Sequence, residues 1–237
     1  MVSIVIPTYN EKDGIARLVD KICTQLREAG IDGEVIIVDD NSPDGTGDVA
    51  EGLRAQYPLQ VVHRAGKLGL SSAVIDGWKV AKGDIIGVMD ADLSHDPAAL
   101  PAMIAAIEKD GCELAVGSRY IPGGNIKNWP LKRLIISKTA VYMASPLTPV
   151  RDITSGYFLI KRSAIDGIKL NPIGFKIGLE VFVKGRYSRF REVPYTFVDR
   201  AAGQSKMGWK EIWNYLVQLV DLIAFRLTQH RPPRIRS

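Results

Sequence analysis

A length of 237 residues suits one α/β domain, with or without a helical appendage, and allows a substantial core. The composition, 46% hydrophobic and 24% charged, excludes a largely disordered chain, and a net charge of +5 permits an anionic partner such as a nucleotide, a lipid phosphate or an acidic membrane surface. Dense basic clusters interleaved with aromatics are missing, which argues against a nucleic-acid binder. The two cysteines, Cys23 and Cys112, read as small core residues, and with no export signal they point to a reducing cytoplasm. No stretch reaches the roughly 18 uninterrupted apolar residues that a spanning helix needs. The nearest, Ile212–Leu227, is broken by Asn214, Gln218, Asp221 and Arg226.

In chain order, Ser3–Ile6 is a short β run ended by Pro7. The next helix carries Ile15, Leu18, Val19, Ile22 and Leu26 at helical spacing and stops at Gly30. Glu34–Val38 is a continuous apolar strand ending in Asp39-Asp40. It is followed by the turn Asn41–Gly45, a helix near Gly47–Tyr57 and a strand at Leu59–His63. A helix over Ser71–Ala81 leads to the strand Asp84–Met89, which ends in Asp90-Ala91-Asp92. Pro97 opens a helix that runs to the region of Lys109, and Glu113–Gly117 is the next strand.

Apolar strands separated by helices predict a parallel sheet covered on both faces, with ligands beyond the carboxyl ends of its strands. Tyr9, Asp39, Asp40, Asp90, Asp92 and Arg119 all fall just past such ends. The second half is less regular. It holds a loop at Gly123–Asn125, a helix over Pro130–Ala144, a strand at Ser155–Lys161, a helix at Gly178–Lys184, a strand at Glu192–Val198 and a polar loop at Gly203–Gly208. A last amphipathic helix, Trp209–Thr228, carries Ile212, Leu216, Leu219, Val220 and Ile223 and precedes an arginine-rich tail. It suits either an anionic membrane surface or a docked position on the main domain.

Asp90-Ala91-Asp92 is the sharpest chemical signal. Two carboxylates one residue apart at a buried strand end repel each other unless a positive charge lies near, and a hard divalent cation that also takes phosphate oxygens fits. The plain alternative is one Asp capping the next helix and the other solvated. Asp39-Asp40 is either a base- or ribose-binding pair or an Asx turn with Asn41, Ser42 and Pro43. Asn10 suits a helix cap, and Tyr9 suits stacking on a base. Arg119, Arg133, Arg200 and Lys206 bring cations to the same side, where an arginine fork can grip phosphate. Taken singly, Arg133 also reads as a solvated helix residue. His63, His95 and His230 lie far apart and give no zinc spacing.

Taken together, Ile4–Glu11, Val38–Asp44 and Met89–His95 resemble family 2 glycosyltransferases of the GT-A fold. Gly117–Tyr120, Asn128–Pro130, Ile136–Lys138, Arg151–Gly156, Glu192–Pro194 and Gly203–Met207 are similar to the branch that makes dolichyl-phosphate mannose. The resemblance covers nearly the whole chain and implies an α/β fold with a mostly parallel central sheet flanked by helices. It implies a catalytic domain over 1–208 and a C-terminal amphipathic helix and basic tail over 209–237. Pro7, Tyr9, Glu11, Asp39, Asp40 and Asp90 are then expected at the nucleoside, and Asp90 and Asp92 at Mg²⁺ or Mn²⁺. Arg119 and Arg133 are expected at the lipid phosphate, with Arg200 and Lys206 on a loop over the charged groups. Catalysis would fall to Asp92, Arg119 and Arg133. Some relatives carry Gln where this chain has Ser94.

The implied reaction is inverting transfer of mannose from GDP-mannose to dolichyl or polyprenyl phosphate. A phosphate acceptor with a second pKa near ~6 is largely dianionic at pH 7 and needs no carboxylate base. The alternatives are transfer of glucose or N-acetylglucosamine from a UDP-sugar, and a nucleotide-sugar-binding subunit without catalysis. The expected location is the cytoplasmic face of a membrane, held peripherally or through a membrane-anchoring subunit.

Overall fold

The computed structural model describes residues 1–171, 176–199, 209–228 and 235–236. In chain order the elements are β1 (Val2–Thr8), α1 (Lys12–Glu28), β2 (Gly33–Asp39), α2 (Thr46–Leu53), β3 (Leu59–His63), α3 (Leu70–Val80) and β4 (Ile85–Val88). They continue with α4 (Leu100–Glu108), β5 (Leu114–Ser118), β6 (Asn125–Lys127), α5 (Leu131–Ala144), β7 (Phe158–Lys161) and α6 (Ile177–Lys184). The last are β8 (Arg189–Pro194), β9 (Thr196–Val198), α7 (Trp209–Thr228) and β10 (Ile235–Arg236). Short 3₁₀ turns precede α4, follow α5 and follow β7.

One eight-stranded sheet runs in the order β10-β8-β5-β7-β4-β1-β2-β3, and β6 pairs with β9 in a separate two-stranded ribbon. Along the central strands alternate residues enter opposite layers. Ile4, Ile6, Val35 and Ile37 pack with the apolar faces of α1 and α4, whereas Val5, Ile36 and Val38 pack with α3. The second layer also takes up α6 and, through Tyr215, Leu219 and Leu222, α7. Both free cysteines are buried, and burial, with Asp20 beside it, pushes the Cys23 thiol up to about 11.

Three local features differ from the sequence expectation. First, β7 lies between β4 and β5 and runs antiparallel to both, because side chains buried on two faces do not encode strand direction. Second, β1 continues through Pro7 to Thr8 opposite β2. The ring nitrogen faces the β4 side, where the ladder has already closed with Met89 N donating to Val5 O, so the missing donor costs no bond. Third, the run Glu192–Val198 is two strands. At Tyr195 the backbone hands over, its N–H donating to Ser118 O at 3.2 Å and its carbonyl accepting from Asn125 N at 3.1 Å. The chain thereby leaves the main sheet for the ribbon.

Candidate active site

The carboxyl ends of the strands form one rim, and the backbone there is unusually constrained. Among the described residues, the four non-glycine residues with left-handed φ are Asn10, Asn41, Leu93 and Asn128, each in a turn that follows a strand. Asparagine tolerates this region, but a leucine at φ 61° holds strain of a kind that clusters at functional sites. Leu93 directly follows Asp92.

Two acidic pairs reach this rim in different states. Asp39 is buried, and its carboxylate accepts from Ser42 N (2.9 Å), from Ser42 Oγ (2.5 Å) and from Thr8 Oγ1 (3.2 Å). Asp40 is also buried. Its Oδ1 pairs with the Arg64 guanidinium and its Oδ2 accepts from Gly69 N at 2.9 Å, which fixes the loop between β3 and α3. Asp39 thus braces its own turn and Asp40 the neighbouring loop between β3 and α3.

Asp90 and Asp92, by contrast, stay half-exposed. Asp92 Oδ1 accepts from Ser94 N at 3.0 Å and from Ser94 Oγ, so the residue that replaces glutamine of some relatives orients Asp92. His95 is buried beside Asp90, its Nδ1 accepting from Asp90 N at 3.1 Å. Burial holds this imidazole below its ordinary pKa, against the pull of Asp90 and Asp92, so it is a neutral strut.

From His95 a line of rings crosses to the basic side. His95 stacks on Tyr157 with centroids 5.1 Å apart and meets Tyr195 at 5.6 Å and Phe197 at 5.9 Å edge-on. Phe197 meets Trp129 at 5.3 Å. The Arg119 guanidinium lies 5.3 Å from the Trp129 ring and that of Arg133 lies 4.4 Å from it. Gly117 makes room for this bridge, since a Cβ there would stand 2.6 Å from the Tyr157 ring. Phe197 lies on β9 and the other rings on four connecting segments, and their spacing in sequence gave no sign of the cluster. Only the Met89–His95 and Asn128–Pro130 motifs each held one member.

The arginines are not the open forks that the sequence suggests. Arg119 is buried, with Nε and Nη2 each 2.7 Å from the Asp152 carboxylate and Nη2 2.9 Å from Thr154 Oγ1. Burial alone would discharge such a cation, but the charge and hydrogen bonds of Asp152 outweigh it and raise its pKa. Glu192, also buried, secures the segment that carries Asp152. Its Oε1 accepts from Asp152 N at 3.1 Å and Ser118 Oγ at 2.8 Å, and its Oε2 pairs with Arg236 of β10 at 2.6 Å. Arg133 pairs with Asp199 at 2.6 Å, and both side chains are partly exposed, at 29% and 20%. The Nε–Nη2 edge of Arg119 is thus taken up by Asp152 and Thr154, whereas Arg133 sits in a pair that solvent reaches.

On the opposite flank Pro7, Tyr9 and Glu11 are half-exposed, and Glu11 N donates to Thr46 Oγ1 at 3.0 Å. Lys67 Nζ stands 3.9 Å from the centre of the Tyr9 ring, on the loop that Asp40 anchors. Arg200 and Lys206 lie outside the described residues. The side chains of Asp90 and Asp92 present carboxylate oxygens, the type of ligand that a hard cation takes. No group of three His, Cys, Asp or Glu side chains among the described residues is arranged to hold a metal. Two carboxylates suit a cation that completes its shell with phosphate oxygens and water, as Mg²⁺ does.

The profile of glycosyl transferase family 2 matches residues 3–168. The chain belongs to this family. It is 45% identical to the dolichol-phosphate mannosyltransferase of Pyrococcus furiosus over 228 residues, spanning 94% of this chain and 64% of that relative. With the dolichol-phosphate mannosyltransferase of Saccharomyces cerevisiae, identity is 38% over 235 residues, covering 94% of this chain and 87% of the relative. In fold, this family 2 chain is similar to a mannosyltransferase from Pyrobaculum calidifontis solved with GDP-Man and Mn²⁺. The TM-score is 0.62 at 19% identity, covering 98% of this chain and 65% of that one. The architecture is the GT-A fold, a mostly parallel sheet with flanking helices.

No helix of the described residues is long and apolar enough to cross a membrane. The apolar face of α7 divides in two: Tyr215, Leu219 and Leu222 are buried against the domain, whereas Trp213, Val220 and Leu227 are exposed. Tyr215 also donates to Ala140 O of α5, and α5 exposes Leu131, Ile135 and Tyr142 beside Lys132 and Lys138.

Proposed function

We propose that the chain transfers mannose from GDP-mannose to dolichyl or polyprenyl phosphate with inversion. One observation carries the reading: a continuous ring bridge joins two half-exposed carboxylates to two arginine–carboxylate pairs on one rim. Such a rim suits a nucleotide diphosphate at one end and a second phosphate at the other. The names of the two relatives at 45% and 38% identity support the sugar and the lipid acceptor.

In this reading an oxygen of the acceptor phosphate forms the new bond at the anomeric carbon. The bond from that carbon to the donor diphosphate breaks, and GDP leaves with the electron pair. Asp90 and Asp92 hold Mg²⁺ or Mn²⁺, and Tyr9 and Pro7 flank the nucleoside. When bound, the metal supplies positive charge that stabilises the departing diphosphate. Arg119, held by Asp152 between rings, is a fixed charge already oriented before substrate arrives. Arg133 exchanges Asp199 for the acceptor phosphate, since a part-exposed pair is held weakly.

A transfer panel tests this. GDP-mannose, UDP-glucose and UDP-N-acetylglucosamine are offered with a polyprenyl phosphate, with Mg²⁺, Mn²⁺ or a chelator. Mannosyl transfer that stops on chelation is expected. Transfer from a UDP-sugar alone would give the site to the alternative donor, and tight GDP-mannose binding without turnover would leave a binding subunit.

We also propose that α5 and the outward face of α7 rest on an anionic membrane surface, with Lys132 and Lys138 near the headgroups. In liposome flotation, V220E with W213E should lose vesicle binding while keeping the domain folded. Unchanged flotation would shift attachment to a membrane subunit or another segment.

A further inference from the structure

Resting on the transfer reading above, we propose that Lys176 is a third acceptor-side cation, its ammonium binding the lipid phosphate together with Arg133. No sequence motif singled it out. It immediately precedes α6, and that end of α6 is pressed onto the segment before β7. A Cβ on Gly178 would stand 2.7 Å from Ser155 O, and one on Gly156 would stand 3.4 Å from Asp90 Oδ1. The position is thus one short segment away from the metal-binding end of β4. From the other side α7 fixes it: Gln218 Nε2 donates to Lys176 O at 3.3 Å, and the Tyr215 ring centre is 5.4 Å from its Nζ.

The charges make the case. Arg119 and Arg133 arrive already matched by Asp152 and Asp199, so a dianionic phosphate entering there leaves the cluster short of positive charge. Lys176 lies within electrostatic reach of Arg119, Asp152 and Asp90. Lys176 is part-exposed, so a ligand can reach it from solvent. Burial, and then repulsion from Arg119, pushes its pKa down to about 8. An incoming anion relieves both costs, so this lysine favours an anionic ligand more than a solvated surface lysine does.

The test compares wild type with K176M, K176Q and K176R, using GDP-mannose and farnesyl phosphate as a dispersible acceptor. Thermal midpoints establish folding first. In K176M the acceptor KM should rise about tenfold or more, the loss of one charge-assisted bond, while the donor KM stays within about twofold. K176Q should match it, and K176R should recover part of the effect. Direct titration of farnesyl phosphate into the GDP-bound protein, which needs no turnover, should weaken by a similar factor. If acceptor binding is unchanged in folded K176M and K176Q, or if donor affinity falls instead, the assignment fails. If wild type binds farnesyl phosphate but transfers no mannose, the transfer reading fails while the lysine assignment stands on the titration.

Discussion

Asp39-Asp40 at the end of β2 and Asp90-Ala91-Asp92 at the end of β4 look alike in sequence, yet the fold gives them opposite work. The first pair is buried, with its oxygens spent on Ser42, Thr8, Arg64 and Gly69. The second is half-exposed, and its strained turn is braced from behind by Ser94 and His95. A carboxylate at a strand end is thus a scaffold when hydroxyls, amides and a cation close around it. It can meet a ligand from solvent when its turn leaves the side chain half-exposed, as at Asp90 and Asp92. The difference lies in what packs against each turn, not in the strand that delivers it.

The largest effect that would sharpen this contrast is in turnover. Asp92→Asn should lower kcat about 10³-fold, the scale of removing a key electrostatic group, with the thermal midpoint nearly unchanged. A variant that turns over at the wild-type rate would break the comparison at its functional end. Asp40→Ala should do the reverse, since it leaves the buried Arg64 charge to the part-exposed Asp76. A loss of about 3–5 kcal/mol is expected, or a fall of roughly 10 °C in the midpoint. Adding Arg64→Met should recover much of it. If Asp40→Ala keeps its stability and loses only donor binding, the pair belongs to the nucleoside after all.

A smaller effect separates the pairs by ligand. GDP-mannose should raise the midpoint of wild type only with Mg²⁺ or Mn²⁺ present, by a few degrees at about 100-fold excess over Kd. Asp92→Asn should show no metal-dependent rise, and chelation of the protein without donor should change nothing. The smallest expected change is Ser94→Ala. Loss of one hydrogen bond to Asp92, about 1 kcal/mol, should cost several-fold in kcat and leave donor-free stability almost untouched. A loss as large as that of Asp92→Asn would make Ser94 itself a ligand.

Much of the fold was legible before any coordinates. Helical spacing of Ile15, Leu18, Ile22 and Leu26 gave α1, and the apolar runs before Asp39 and Asp90 gave β2 and β4, because burial on two faces leaves a plain hydrophobic record. The antiparallel β7 and the break at Tyr195 were not legible, since pairing direction and ladder hand-over are settled by distant partners. At the rim, the position of Asp90, Asp92 and Tyr9 just past strand ends was legible from the sequence. The ring bridge, the Asp152 clamp on Arg119 and the place of Lys176 were not, because contacting partners such as Arg119 and Asp152, or His95 and Phe197, stand 33 and 102 residues apart in the chain.

Sequence alone determined the family, the strand-helix order of the first half and which residue types lie at its strand ends, all properties of local pattern and motif. Tertiary structure alone decided which carboxylates are occupied, which arginines are fixed and which face of α7 stays outside. The reason is physical: charge and donor satisfaction depend on neighbours in space, and folding chooses those neighbours from parts of the chain that carry no mark of one another.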